Sequence, residues 1–123
     1  PGTFGQSAQW MDYSGPVPVR QGAKTALRTE GITYFDHPGN PRHPTHWHVR
    51  SDGWMGASFN LLESLEIQKE RPLVLRYLLH AHHGPADLER AHFILDAFGK
   101  KPGYKVVKAK VPHQQFEIER TEE

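Results

Sequence analysis

The sequence predicts a mostly β protein, an antiparallel sandwich or barrel carrying one α-helix. Two observations carry this: short runs rich in β-branched and aromatic residues follow one another, and turn signals separate them at intervals of about 8 to 12 residues. A third is that apolar residues recur at helical spacing in only one stretch, near residues 86–98. At 123 residues the chain has room for one domain of ordinary size. Its 37% hydrophobic and 11% aromatic residues fit a folded but loop-rich core rather than a disordered tail.

Taken in order, Gln6–Tyr13 mixes polar residues around Trp10 and reads as a strand stopped by a Ser14-Gly15-Pro16 turn. Ala23–Arg28 is weakly patterned, whereas Ile32, Thr33, Tyr34 and Phe35 make Gly31–Phe35 a strand. Asp36–Arg50 then gathers four of the nine histidines and three of the ten prolines. Each proline removes a backbone donor and drives its predecessor to extended conformations, so this stretch predicts a rigid loop. It ends in a strand over Thr45–Arg50, with His46, His48 and Arg50 on one face and Trp47 and Val49 on the other.

Ser51-Asp52-Gly53 predicts a turn and Trp54–Phe59 a short strand; Leu61–Gln68 fits a helical turn through Leu62, Leu65 and Glu66 or, the favoured reading, a strand over Leu65–Gln68. Leu73–His82 alternates most cleanly: Leu73, Leu75, Tyr77, Leu79 and Ala81 form the expected core face, and Val74, Arg76, Leu78, His80 and His82 the mixed one. Gly84-Pro85 breaks it and places Pro85 at a helix start, with Asp87 and Glu89 in the first turn. Leu88, Ala91, Leu95 and Phe98 are the expected core contacts of this helix, and Gly99 with Pro102 its stop. Tyr104–Val111 and Phe116–Glu119 close the chain as strands.

Fifteen basic against fourteen acidic residues leave a formal charge of +1, too little to draw in nucleic acid or an anionic membrane. No apolar run approaches the roughly 20 residues that span a bilayer. Without cysteine there is no disulfide, thiolate metal site or cysteine nucleophile. Gly-x-Ser-x-Gly, phosphate-loop and His-Glu-x-x-His patterns are absent, which removes support for the hydrolases, nucleotide enzymes and zinc proteases that use them.

Two constellations compete for chemistry. His37, Asn40, Arg42, His48 and Arg50, with Trp47 or Trp54 alongside, offer the hydrogen-bonding forks and apolar face that sugar recognition needs. There His37 and His48 are the candidate proton carriers, with Asp36 a further nominee, and Asn40, Arg42, Trp47 and Arg50 the ligand contacts. The bland alternative is a structural corner in which Asp36 and Asn40 cap turns and Arg42 or Arg50 pairs with a local carboxylate. The second constellation joins two His-x-His pairs, His46 with His48 and His80 with His82. On neighbouring strands these could hold zinc, copper or iron, with Asp36, Asp52 or Glu63 as carboxylate. The residues themselves specify no cofactor and do not choose between binding and catalysis.

Gln9–Gly15, the run Gly31–Arg50 and the strand Leu73–Gly84 together resemble the PmoA-like family, which carries the label methane oxygenase. The resemblance implies a β-sandwich of the galactose-mutarotase type and a carbohydrate ligand or substrate; the label itself implies a copper or iron oxygenase. A non-catalytic structural module is the third reading. Family members are longer and carry a second motif of the Asp-His-Pro-His-His type, absent here, so the chain is expected to be a C-terminal portion. Such a half sandwich should expose sheet surface and self-associate. A signal peptide upstream of Pro1 would make the protein periplasmic or secreted; the sequence leaves the compartment open.

Overall fold

The computed structural model describes residues 2–122. Its elements run β1 (Trp10–Gln21), β2 (Lys24–Asp36), β3 (Trp47–Val49), β4 (Met55–Ala57), β5 (Tyr77–His83), α1 (Leu88–Gly99), β6 (Tyr104–Lys108) and β7 (Phe116–Arg120). The mostly β class with one helix is the observed architecture. The strands form a three-stranded antiparallel sheet in the order β1-β2-β5 and two hairpins, β3-β4 and β6-β7.

The expected turn at Ser14-Gly15-Pro16 does not form: β1 runs straight through it and pairs with β2 from Trp10↔Phe35 to Gln21↔Lys24. Within this sheet β1 is bonded on one side only. Pro16 and Pro18, two residues apart and so alike in orientation, are tolerated where no donor is required of them. The chain reverses instead at Gly22-Ala23, where Gly22 takes φ 59°, a value suited to a two-residue hairpin. That long pairing also recruits the weakly patterned Ala23–Arg28 segment, most of which becomes the start of β2.

No strand forms at Leu65–Gln68, where only an isolated bridge joins Gln68 to Arg71. β5 begins at Tyr77, not Leu73. The main chain of Arg76 is engaged by the loop: its N–H donates to Asn40 Oδ1 at 2.8 Å, and its carbonyl accepts from His37 N. The expected core face of β5 is inverted as well. Phe35 and Leu78 face α1, in a cluster with Ala91, Leu95, Phe98, Trp10 and Ile94, so His80 and His82 lie on the helix side of the sheet. Leu79 is 62% exposed and Ile32 45% exposed on the opposite, open face. Strict alternation distinguishes two faces but not which of them a later helix covers.

The helix starts at Leu88, later than expected. Asp87 is its N-cap, accepting the Arg90 N–H, so Pro85 lies before the helix; Leu88 is exposed while Ala91, Leu95 and Phe98 are buried as expected. Gly99 ends it against the Pro38 ring, where an added Cβ would lie 3.3 Å from Pro38 Cγ. On the open face, the β3-β4 hairpin is anchored by Trp47, which packs edge-on against Tyr34 at 5.1 Å. The segment around Ser7 bonds along residues 45–47 beside it.

Candidate functional site

The Asp36–Arg50 loop directs most of its polar groups inward. Asp36 is fully buried and its carboxylate accepts from Asn40 Nδ2 at 2.7 Å, from Thr45 N at 3.0 Å and from the His43 ring at 2.8 Å. Both N–H donors of the Asn40 amide are used, the second by the Arg76 carbonyl, and its buried oxygen accepts the Arg76 N–H. Arg42 donates to the carbonyls of Glu63 and Ser64, and Arg50 pairs with Asp52 on the surface. Trp47 has no exposed surface and gives its Nε1–H to Ala8 O.

The two candidate proton carriers are separated. His37 is buried, with Nδ1 accepting from Gly39 N and its ring edge-on to Phe98. Burial, followed by the charge of Arg76, holds its pKa below the usual histidine value. His48 lies in the small hairpin between Phe4 and Trp54. Asn40 and Arg42 thus make the protein contacts that the structural corner calls for, Arg50 pairs locally with Asp52, and none of the six predicted residues lines the cleft beside α1.

The His-x-His pairs do not meet either. His46 and His48 belong to the β3-β4 region, whereas His80 and His82 are on β5 in a different sheet. Among the described residues no group of three or more histidine or acidic side chains is arranged to hold a metal ion.

A different site lies between the sheet and α1. His82 on β5, Gly31 on β2 and Ser14 on β1 are in register across all three strands. Because Gly31 lacks a side chain, the His82 imidazole crosses over β2 and reaches Asp12 on the far strand, Nε2 to Oδ2 at 2.6 Å. A Cβ on Gly31 would lie 2.6 Å from His82 Nε2 and equally close to Ser14 Cβ. Thr33, on the same face, donates its hydroxyl to the same Asp12 oxygen at 2.8 Å. His80 stacks on His82 with centroids 6.1 Å apart.

Asp12 and His82 expose only 10% and 9% of their side chains. Burial raises the Asp12 pKa, but hydrogen bonds from Ser14, Thr33 and His82 and the His82 charge outweigh it, and the net shift is downward. An ionised Asp12 can only accept, so Nε2 of His82 carries a proton, and in the neutral form of the ring Nδ1 is an acceptor. Nδ1 makes no hydrogen bond among the described residues and is not sealed from solvent. His82 lines a cleft of about 400 Å³, with Thr33, His80, Arg90 and Asp87 as further polar lining and Phe35, Ala91 and Ile94 as apolar lining. That volume is in the range of small-molecule sites.

Asp12, Gly31, Thr33 and Arg90 escape a search for histidine clusters. Their sequence signal is parity: Asp12 and Thr33 alternate with residues of the open face, and so share the helix side with Trp10 and Phe35.

Fold and site together define a helix-covered antiparallel sheet with an oriented histidine in a mixed polar and apolar cleft. The chain belongs to DUF6807, a family of unknown function whose model matches residues 1–95, a span that includes every strand of the three-stranded sheet and most of α1. No curated protein and no solved structure matches it. No helix among the described residues is long and apolar enough to cross a membrane.

Proposed function

We propose that the protein binds a small hydroxyl-rich ligand, a sugar by class, in the cleft between β2, β5 and α1. The observation that carries this reading is His82: a nine-tenths buried imidazole on the wall of a cleft of about 400 Å³, fixed by Asp12 through Nε2 and with Nδ1 unpaired among the described residues. A nitrogen so placed accepts a ligand hydroxyl, and Asp12 stabilises the imidazolium if that proton is transferred. Thr33 fixes the carboxylate, and the apolar wall of Phe35, Ala91 and Ile94 suits the C–H face of a sugar ring. The sugar class also draws on the resemblance of residues 31–50 and 73–84 to the PmoA-like family. The Asp36–Arg50 loop, on this reading, braces the end of β2 and the entry to β5.

Calorimetric titration of the 123-residue chain with a panel of neutral and acidic monosaccharides tests this. Binding should be lost in His82→Ala and retained in Arg50→Ala. The reverse pattern, loss on changing Arg50 and indifference to His82, would return the site to the loop.

A further inference from the structure

Arg90 occupies the third position of α1, in the first turn, where the positive end of the helix dipole disfavours a cation. It nevertheless lines the cleft, and among the described residues its guanidinium makes no hydrogen bond and has no carboxylate within 4.0 Å. Its neighbour Glu89 is exposed and makes no ion pair with it, and other acids are engaged elsewhere. Asp12 holds Thr33 and His82, Asp87 takes the Arg90 backbone N–H on Oδ1, and Glu30 pairs with His83 at 2.8 Å. By contrast Arg42, Arg76 and Arg120 are each committed to backbone carbonyls, and Arg50 to Asp52.

Arg90, its guanidinium unpaired, and His82, its Nδ1 unpaired among the described residues, thus line one cleft. A guanidinium matches a carboxylate through two parallel N–H···O bonds, while an imidazole nitrogen takes a hydroxyl. We infer that the ligand is a sugar acid, its carboxylate held by Arg90 and one of its hydroxyls on His82 Nδ1. This rests on the sugar-binding reading above and narrows it. Asp87 on the same wall opposes an anion, and its bond to the helix N–H directs part of its charge into the helix terminus rather than the cleft. The ligand's charge would add to that of Asp87 and Glu89 at a helix terminus whose dipole favours anions.

The test pairs neutral and acidic forms of the same sugars, galactose with galacturonate and glucose with glucuronate, titrated into the full chain at low ionic strength. A hydrogen bond to a charged group is worth about 1.5–3 kcal/mol, so at least one acid should bind roughly ten- to a hundredfold more tightly than its neutral partner. Arg90→Gln should erase that preference, Arg90→Lys should keep part of it, and His82→Asn should weaken both forms. Because Arg90 is exposed, circular dichroism of Arg90→Gln should match the parent chain. Equal binding of acid and neutral sugar overturns the carboxylate assignment while leaving sugar binding intact, as does a preference that survives Arg90→Gln. No binding of any member of the panel overturns both.

Discussion

The Asp36–Arg50 loop and the sheet–helix cleft are both rich in histidine and both hold a buried aspartate bonded to an imidazole, but they use those groups in opposite ways. In the loop the groups around the Asp36 carboxylate are matched: His43, Asn40 and Thr45 close on it, and Asn40 also clamps both main-chain groups of Arg76, while His37 Nε2 beside them is left buried without a partner. In the cleft the matching is incomplete. Asp12 is satisfied by Thr33 and His82, yet His82 Nδ1 and the Arg90 guanidinium have no partners among the described residues. A closed network rigidifies a corner, whereas an open one leaves donors and acceptors for something that arrives.

The most damaging change should be on the closed side. Asp36→Ala removes a fully buried carboxylate and leaves Thr45 N and the His43 ring without their acceptor. Each buried donor left unmatched costs about 1–3 kcal/mol. The expected result is a large fall in the urea midpoint, with the loss felt at the start of β5 because Asn40 loses its anchor. A shift of less than a quarter of that size would mean the loop network is dispensable.

Gly31→Ala should cost less stability and more function. The new methyl would sit within 2.6 Å of the His82 ring and of Ser14, so the imidazole must leave Asp12. Overpacking of this kind costs about 1–3 kcal/mol. The imidazole resonances of His82 should move while those of His43 stay, and sugar binding should vanish although neither His82 nor Arg90 has been mutated. Unchanged His82 resonances in a folded variant would sever the proposed link between the bare Gly31 position and the dyad.

These two sites differ in how far they were legible. The β class, the helix and its Ala91, Leu95 and Phe98 contacts follow from local pattern, because a helix buries one stripe and a strand one parity. The loop was visible as a dense cluster, and density alone cannot separate ligand contacts from self-satisfaction: Asn40 and Arg42 look identical in sequence whether they bond a sugar or a carbonyl. The cleft depends on residues from β1, β2, β5 and α1 brought together by register, so the distance of 70 positions between Asp12 and His82 hides it. The Gly-Pro turn at residues 15–16 was overruled for the same reason, by a partner strand that local pattern does not contain.

The smallest effect, and the finest distinction between the regions, is one of pH. His37 belongs to the closed network: Nδ1 accepts from Gly39 N at 2.9 Å, and Nε2 is buried without a partner. Burial and the nearby Arg76 charge depress its pKa, against the opposing pull of Asp36. In the unfolded chain the ring takes up its proton as the pH falls through about 6.5. The native ring resists, so the unfolded state binds more protons in the window just below that value. Stability from His37 is therefore complete above about pH 6.5 and is lost as the pH falls through the window to the native pKa. Asp12 adds a second loss of the same sign only in more acid solution, below its ordinary value of 3.8. His37→Gln keeps an acceptor for Gly39 N but cannot titrate. Urea midpoints measured at about pH 7.5 and about pH 5.5 should fall more steeply for the parent chain than for His37→Gln, and equal slopes would show that this buried ring carries no proton linkage.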